Sequence, residues 1–432
     1  MRQRKTSLLL IVLVAFSLRL ILVAFLLPDT YKTQRGFWPF GYEAGRVARS
    51  IASGEGFSSP WFEKTGPTAL IPPVYPYLLA GIFKLFGIYS KASAVTALSL
   101  NCLFSALTCW PVFCIARKCF GAVIALRAAW AWAFFPPAVY LSSDLLGESC
   151  LSALLLATLI LWMTRLEEST NLWSWAGFGL LWGLAGLTSP VLLSVLPVMA
   201  GWACYRLPRN DRAWIAPLGV ATLACALVLF PWMVRNYRTF HRLIPLRDGF
   251  WLEVWIGNNG DNSYWFSESA YPGTSDRELE EFDRLGELAY MQRKRAQAAS
   301  FIENHPGTFA VTCLRRFIYI WTGFWSVGAS HGPKQHFFGD DPFDAVNLFF
   351  STSLTILTLI GLRCAFAQAR GAAIPFTLVL LFFPLTYYVT HPMRYYRHPI
   401  EPVIVILAVY GLSALSWKRL RSSTSILESS VE

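Results

Sequence analysis

The sequence is poor in charge and lacks the short motifs that mark several enzyme classes. Charged residues make up 15% of the 432 residues, against about 25% in soluble globular domains. No Walker or HExxH pattern is present, so nucleotide hydrolysis and zinc proteolysis have no support. The nine cysteines form no CxxC pair and mostly lie in apolar segments, which disfavours a disulfide framework or a zinc site.

Hydrophobic residues take the place of the missing charge. They make up 55% of the sequence, and the mean hydropathy is +0.43. Many apolar segments approach the roughly 20 residues needed to cross a bilayer core. These segments lie near residues 7–27, 93–116, 122–142, 149–164, 173–189, 191–205, 214–232, 345–362, 373–390 and 400–417. The sequence therefore predicts an all-α polytopic membrane protein with about ten transmembrane helices.

The distribution of lysine and arginine predicts the orientation. The apolar segment 74–89 is short and contains a lysine, so we interpret it as an interfacial helix rather than a span. The basic clusters at residues 117–118, 206–212, 363–370 and 418–421 then all lie on the cytoplasmic side, together with both termini. We assign the net charge of +11 to orientation and to contacts with membrane lipids, because no nucleic-acid module is present. This predicts a multi-pass protein of the inner (plasma) membrane.

In this topology two membrane regions flank one larger external region. Residues 1–232 form the N-terminal region, with an amphipathic first external loop at 28–92 and a second at 142–149. Residues 233–344 form the external region, and residues 345–432 form a C-terminal membrane region with a short cytoplasmic tail. The candidate chemistry is therefore expected on the extracytoplasmic face.

Within the external region the pattern changes along the chain. Alternating apolar and aromatic residues after Arg235 predict short strands or loops. A charged helix is predicted from Ser275 to Asn304, with Ser275 as its N-cap and Glu278 three residues later. The helix is expected to end before Pro306.

The first candidate site is a short charged helix in the first external loop. Glu43, Arg46 and Arg49 fall within two turns on a shared side of a helix. A carboxylate at a low-dielectric boundary can act as a general base, and arginine can bind phosphate bidentately. An interfacial helix whose charges merely face lipid headgroups explains the same pattern equally well.

The second candidate is a pair of acids in the second external loop. Asp144 and Glu148 are four residues apart and would share one face of a helix. Neighbouring like charges raise one pKa, which suits acid–base work or metal binding. A solvated loop with a capping aspartate is the alternative, and it fits Asp144 better than Glu148. Two carboxylates are too few to argue for a divalent metal, and no cofactor is predicted.

The third candidate lies just before the last span, in the sequence HPMRYYRHPIEP. Arg394 and Arg397 could hold a phosphate through charge-assisted hydrogen bonds, with His398 beside them. The alternative is an aromatic and basic belt at the membrane interface. The density of cations and prolines in so short a loop favours the functional interpretation.

Other polar positions give weaker signals. Asn258 and Asn259 are typical of turns, although they could bind a sugar together with Trp251 and Trp255. Lys64 could reach a phosphate, but a solvated loop lysine is the commoner case.

Taken in order, these segments resemble a known family. They read GYEAGRVARSIASGEGF, PPVYPYLLAGIFKLFG, DLLGE, FPWMVRNYRTF, LEVWIGNN, FIENHPGTF, LRRFIYIWTGFW and RYYRHPIEP. Their order and spacing over nearly the whole chain are similar to bacterial membrane glycosyltransferases of the GT-C fold, in the group related to protein O-mannosyltransferases and lipid A aminoarabinose transferases.

The resemblance implies an inverting transfer of a sugar from a polyprenyl-phosphate donor to a lipid, glycan or protein acceptor. It implies that Glu43 activates the acceptor and that Glu148, or less well Asp144, is the acid of the second loop. It implies that Arg394 and Arg397 hold the lipid phosphate. The remaining residues assigned to substrate binding are Arg46, Arg49, Lys64, Tyr75 and His398.

Two departures from the family pattern leave the donor sugar open. Ile71 stands where many relatives have a basic residue before Pro-Pro, and Tyr42-Glu43 stands where many have aspartate. A transporter or flippase of lipid-linked sugars is the alternative function, although no internal repeat of the kind found in transporters is visible in the sequence. A structural component of an envelope complex is a third.

Overall fold

Helices make up most of the chain that the structure describes. This computed structural model describes residues 2–30, 40–61, 63–166, 169–206, 214–261, 266–323 and 344–428. Within these ranges the strand-like pairing is an isolated bridge between Ser58 and Pro67, so the predicted all-α class is confirmed. The helices are α1 (Arg2–Thr30), α2 (Tyr42–Ala52), α3 (Val74–Phe86), α4 (Lys91–Leu107), α5 (Cys109–Phe120), α6 (Ala122–Ala133), α7 (Pro136–Asp144), α8 (Ser149–Leu166), α9 (Leu172–Thr188), α10 (Leu196–Arg206), α11 (Ile215–Phe240), α12 (Phe250–Gly257), α13 (Asp276–Leu285), α14 (Glu287–Asn304), α15 (Pro306–Thr322), α16 (Asp344–Gln368), α17 (Arg370–Phe382), α18 (Leu385–Val389) and α19 (Glu401–Glu428).

Several of these helices can cross a membrane. Among the described residues six are long and apolar enough, or seven if the bent pair α6–α7 counts as one span. The six are Ser7–Leu26, Lys91–Phe120, Ser149–Leu166, Ile215–Phe240, Val346–Gln368 and His398–Leu415. Shorter apolar helices lie at Val74–Phe86, Pro190–Arg206 and Ala373–Val389. The chain is thus a multi-pass membrane protein, while the number of ten spans stays a prediction.

The helix α3 fits the interfacial interpretation. It has 13 residues, which at 1.5 Å per residue gives about 20 Å. That length is below the roughly 30 Å of a bilayer core. The basic cluster predicted at residues 206–212 lies almost entirely outside the described residues.

The third predicted span is a broken helix, and a buried arginine stabilises the break. α6 and α7 meet at 40°. Pro136 and Pro137 have no N–H to donate to the carbonyls of Trp132 and Ala133 four residues earlier. Arg19 of α1 donates to those two carbonyl oxygens at 3.3 and 2.9 Å. The position of α7, and of the external loop after it, therefore depends on a side chain from another helix.

Replacing Arg19 with Met should lower the free energy of unfolding. The variant leaves the carbonyl of Ala133 without the donor that Arg19 supplies, at about 1–3 kcal/mol, while the carbonyl of Trp132 keeps the backbone N–H of Phe135 at 3.2 Å. Thermal unfolding of the purified protein in detergent micelles measures the effect. Arg127→Met is a matched control, because Arg127 is exposed and bonds the Ser413 hydroxyl at 3.1 Å. Equal melting temperatures for the two variants would contradict the stabilising role of Arg19.

Two glycines let α9 pack closely on α11. A Cβ on Gly179 would come 2.1 Å from the carbonyl oxygen of Ala221, and one on Gly183 would come 2.6 Å from Val228 Cβ. Small residues four positions apart allow this backbone approach between membrane helices. The contact fixes the direction of α11, which leads to α12.

The segment after Arg235 is mostly helical, so the prediction of short strands or loops is wrong for residues 235–240 and 250–257 and holds for the turn between them. α11 continues to Phe240, past the predicted domain boundary at residue 232, and α12 follows a short turn. In α12 the side chains of Leu252, Val254 and Ile256 are all buried. A helix that is buried on several sides lacks the 3.6-residue repeat of polar and apolar residues that identifies an amphipathic helix. Its apolar and aromatic residues therefore resemble the alternation of a strand.

The predicted charged helix is two helices. Ser275 Oγ accepts the backbone N–H of Glu278 at 3.4 Å, so the N-cap is confirmed. The chain breaks at Gly286, which has φ +73°, a conformation that favours glycine. The buried Lys294 of α14 lies 2.5 Å from Glu278 of α13 and joins the two. α14 ends at Asn304, before Pro306, as predicted. Pro306 is the first residue of α15.

Arg316 of α15 joins the end of α12 to the end of α18. Its side chain is fully buried and donates to the Val389 carbonyl at 3.1 Å and to Asn258 Oδ1 at 3.2 Å. A further short hydrogen bond reaches the carbonyl of Gly257. As a result Glu253 of α12 lies beside the loop that follows α18.

Candidate active site

Two loops that are predicted to be external meet at one glycine. Gly41, at the start of α2, has φ +80°, and a Cβ there would lie 2.1 Å from the carbonyl oxygen of Leu146. The next residue, Tyr42, also has a positive φ of 48°, which is uncommon for a residue with a side chain. Leu146 belongs to the short loop between α7 and α8. This contact brings Glu43 of the first loop and Glu148 of the second to the same site.

Glu43 is held by Tyr271, which lies between α12 and α13. Its Oε1 accepts a short hydrogen bond from the hydroxyl of Tyr271. The ring of Tyr271 is buried, with Trp61 and Phe266 edge-on to it at 5.3 and 5.0 Å. Burial raises the pKa of Glu43 above its usual range, although the Tyr271 hydrogen bond and Arg46 lower it in part. A carboxylate with a raised pKa is suited to accept a proton.

An ionised centre lies beside this acid. Arg247 Nη2 is 2.9 Å from Glu253 Oε1, and His391 Nε2 is 2.6 Å from Glu253 Oε2. Burial alone would raise the pKa of Glu253, but Arg247 and His391 lower it to about 2. Burial likewise opposes the charge of Arg247, yet Glu253 holds the pKa of Arg247 above its usual value. Both groups are therefore charged at neutral pH.

Glu148 is the third carboxyl group of the site. Burial raises its pKa, Arg247 lowers it, and Glu43 and Glu253 raise it. Three carboxyl groups thus act on one another, while Arg247 acts on Glu148 and Glu253 and Arg46 acts on Glu43. The pKa of Glu253 is lowered, whereas the pKa values of Glu43 and Glu148 are raised. Acid and base roles are recognised by such a difference between neighbouring titratable groups. Among the described residues no group of three or more His, Cys, Asp or Glu is arranged to hold a metal ion.

The other residues predicted in the first loop have different surroundings. Arg46 is buried on α2, and its charge acts on Glu43 and Tyr271. Arg49 lies on the next turn and is half-buried. Lys64 is exposed and forms a short ion pair with Glu55. Of these three cations, only Arg46 is thus enclosed with Glu43 at the site.

Tyr75 is placed to support the second loop. It is buried and donates to Asn101 Oδ1 at 3.3 Å, and Asn101 donates to the Leu145 carbonyl at 2.9 Å. Asp144 ends α7 and is bonded to Tyr140. Of the two acids predicted in this loop, Glu148 is the one whose charge interacts with Glu43 and Glu253.

The loop before α19 divides into an exposed and a buried part. Arg394 is exposed. Arg397 Nη2 lies 3.3 Å from Glu401 Oε1, and His398 Nδ1 lies 2.7 Å from Glu401 Oε2. The ring of His398 stacks on Trp132 at 5.6 Å. His398 and Glu401 therefore anchor the loop inside the bundle, while Arg394 faces outward.

Reasoning from the sequence missed Arg247, Glu253 and Tyr271. Glu253 offered a signal, since it is a lone carboxylate in the otherwise apolar stretch FWLEVWIG. His391 was noticed within its loop but was not assigned a role. Asn258, a weak sugar-binding candidate, is instead structural, because it is buried and donates to backbone carbonyl groups at 2.7 and 2.9 Å.

The whole bundle is similar to solved archaeal membrane transferases. The oligosaccharyltransferase AglB from Archaeoglobus fulgidus, in complex with an inhibitory peptide and a dolichol-phosphate, aligns with 98% of this chain at a TM-score of 0.57 and 12% identity. The chain has a GT-C fold. The predicted resemblance is thereby confirmed. The chain spans about half of the length of that relative, 51%.

Further matches are to two solved structures and one family model. The oligosaccharyltransferase of Archaeoglobus fulgidus tethered with an acceptor peptide containing the NVT sequon aligns at 13% identity, over 96% of this chain and 49% of that one, with a TM-score of 0.55. ArnT from Cupriavidus metallidurans, bound to undecaprenyl phosphate, aligns at 15% identity over 93% and 77% of the two chains, with a TM-score of 0.39. Residues 71–234 match the family model described as dolichyl-phosphate-mannose-protein mannosyltransferase. No curated protein matches the chain.

Proposed function

We propose that this GT-C protein is an integral membrane glycosyltransferase that moves a hexosyl or pentosyl group from a polyprenyl-phosphate donor to an acceptor. The observation that carries the proposal is the carboxyl group of Glu43, which is bonded by Tyr271 and has a raised pKa beside a charged Arg247–Glu253 pair. The match of residues 71–234 to mannosyltransferases named for a dolichyl-phosphate sugar supports it. So does the dolichol-phosphate bound by a relative of the same fold.

Glu43 acts as the general base in this proposal. Its Oε1 is engaged by Tyr271, so the acceptor hydroxyl uses the other oxygen. As the acceptor oxygen attacks the anomeric carbon, its proton passes to Glu43 and the bond from that carbon to the phosphate oxygen breaks. The electron pair of the broken bond leaves with the polyprenyl phosphate. A single displacement of this kind inverts the anomeric carbon.

Positive charge at the outer boundary stabilises the leaving phosphate. Arg394 is exposed in the loop before α19, and we assign it the main phosphate contact. Arg397 is held by Glu401, which fixes its guanidinium group in advance, and fixed charge is most effective where negative charge develops. Arg46 and Arg49 of α2 are further candidates for the anionic donor. The Lys and Arg pattern supports a site on the external face of the inner membrane, with both termini in the cytoplasm.

A transfer assay tests the function directly. The purified protein in lipid nanodiscs is given polyprenyl-phosphate donors with labelled sugars, and the release of polyprenyl phosphate is followed together with labelling of acceptors. Donor cleavage that depends on the protein is expected. The protein would instead be a transporter if the labelled donor moved intact between the leaflets of a proteoliposome and was not cleaved.

Tyr271→Phe should shift the pH dependence of transfer. The tyrosine hydrogen bond favours the ionised form of Glu43 and lowers its pKa, so its removal should raise that pKa further. A base works only when deprotonated, and the acid limb of the kcat/KM profile should therefore move to higher pH. Tyr290→Phe is the control, since the hydroxyl of Tyr290 bonds Glu278 at 2.7 Å instead. An acid limb unchanged by Tyr271→Phe would show that this hydrogen bond does not tune the base.

A further inference from the structure

Two acids lie where the first loop meets the segment before α12. Asp248 precedes α12, and Glu287 is the first residue of α14. Three of their carboxyl oxygens are buried, namely Asp248 Oδ1, Asp248 Oδ2 and Glu287 Oε2, and no backbone N–H, hydroxyl or cationic donor among the described residues reaches them. These oxygens need an explanation, because most buried polar atoms are paired in native proteins.

The two acids are bonded to each other through their side chains. An ionised carboxylate can only accept hydrogen bonds, whereas a protonated carboxyl group can also donate one. The bond between Asp248 and Glu287 therefore requires a proton. Two negative charges at one buried position are also strongly disfavoured, so one proton is retained. The pair then carries a single negative charge, which suits the first turn of α14, where the helix dipole favours an anion.

The surroundings of the pair keep this proton at neutral pH. Burial and the charge of Asp248 raise the pKa of Glu287 well above its usual range, although hydrogen bonds from Thr68 and Ala69 lower it in part. Burial also raises the pKa of Asp248, but the hydrogen bond from Glu287 and nearby cations oppose that rise. The cations whose charge acts on the pair are Arg235, Arg242 and Arg247. Asp248 is thus the more acidic member, and Glu287 donates the shared hydrogen bond.

The same two residues hold a segment of the first loop. Glu287 Oε1 accepts the backbone N–H of Ala69 at 2.5 Å, and the backbone N–H of Asp248 donates to the Ala69 carbonyl at 3.1 Å. Both backbone polar groups of Ala69 are therefore bonded by the pair. Asp248 directly follows Arg247, which forms the ion pair with Glu253. The contact thus fixes the backbone from which the Arg247 side chain extends.

We propose that Asp248 and Glu287 share one proton, and that this proton holds the first loop against the backbone of Arg247. Without it, two negative charges would occupy one buried position and the contact would open. Both acids are then positioning residues, because they are buried away from the substrate and act on transfer through Arg247. This role in transfer rests on the proposed function, whereas the shared proton does not.

The pH dependence of stability tests the shared proton. The folded pair retains a proton that the unfolded chain gives up above the usual carboxyl pKa of about 4. The folded state therefore binds more protons, and the stability that the pair contributes falls as the pH rises. Glu287→Gln still accepts from Ala69 and donates an amide N–H to Asp248, so it needs no proton and should lack this fall.

Thermal unfolding of the full-length protein in detergent micelles measures the difference. Between about pH 5 and about pH 9, the melting temperature of Glu287→Gln should rise by a few degrees relative to that of the wild type. Glu303→Gln, at an exposed position of the same helix, should follow the wild type at every pH. A difference between Glu287→Gln and the wild type that does not change with pH overturns the shared proton.

A second variant tests the contact itself. Glu287→Met removes the acceptor for Ala69 and the donor for Asp248 together, so it should melt below the wild type at every pH, and Glu287→Gln should rescue it. A cation in place of the proton is tested with EDTA. A melting temperature that EDTA lowers in the wild type but not in Glu287→Gln would overturn the inference in favour of a metal site.

Transfer kinetics test the positioning role separately. If transfer is detected, Glu287→Met should lower kcat by about 10²-fold, the cost of a displacement of about 1 Å at the site. Glu287→Gln should match the wild type at neutral pH and lose less activity at alkaline pH. Full kcat in Glu287→Met would overturn the positioning role. If no donor is cleaved, the proposed function fails, while the stability data still support or overturn the shared proton.

Discussion

Transfer by Glu43→Gln is expected to fall by about 10²–10⁴-fold in kcat, the range attributed to a positioned general base. Glutamine keeps the size of the side chain and can still accept the hydrogen bond from Tyr271. It cannot take up the acceptor proton. The loss should therefore appear in turnover at saturating substrate, while the affinity for the polyprenyl-phosphate donor stays near that of the wild type.

A second glutamate of the same loop provides the control. Glu55 pairs with Lys64 at the surface, so Glu55→Gln should leave transfer unchanged. Donor binding and the melting temperature of both variants show whether they are folded. Normal turnover by a folded Glu43→Gln would falsify the assignment of the base. A loss in donor affinity without a loss in kcat would instead make Glu43 a binding residue.

The sequence predicted the parts of this site that are locally encoded. Glu43 stands out because acidic residues are rare next to apolar spans, and the hairpin DLLGE between two spans drew attention to Glu148. The proximity of the two acids was not predictable, because it depends on the contact of Gly41 with the backbone of Leu146. Nothing in either loop by itself indicates that contact.

The residues that the sequence did not yield reach the site across long chain separations. Tyr271 meets Glu43 over 228 positions, and His391 meets Glu253 over 138. Such pairs follow from tertiary packing, here from the way Arg316 joins α12 to the end of α18. The same packing explains the wrong prediction of strands after Arg235. A helix enclosed on several sides keeps no periodic polar face to identify it.

Breaking the Arg247–Glu253 pair is expected to have the second large effect, a decrease in the stability of the fold. Arg247→Met leaves Glu253 charged and partly buried with His391 as the partner that remains, and breaking a buried pair costs about 3–5 kcal/mol. The pKa of Glu253 is lowered to about 2 in the folded protein, so its ionisation stabilises the fold above its usual pKa and this contribution is lost as the pH falls toward 2. Without Arg247 the folded-state pKa of Glu253 should rise toward its usual value, so the variant should lose less stability on acidification than the wild type does.

A double-mutant cycle separates this interaction from a general packing defect. Arg247→Met, Glu253→Gln and the combined variant are compared by thermal unfolding in detergent micelles over a range of acidic and neutral pH. The stability changes caused by mutations within one charged network are not additive, and coupling energies of about 0.5–3 kcal/mol are usual. The double variant should therefore be more stable than the sum of the single losses predicts, because it leaves no unpaired charge behind. Strictly additive losses would mean that the two side chains stabilise the site independently. The lowered pKa of Glu253 would then have to be explained by His391 alone.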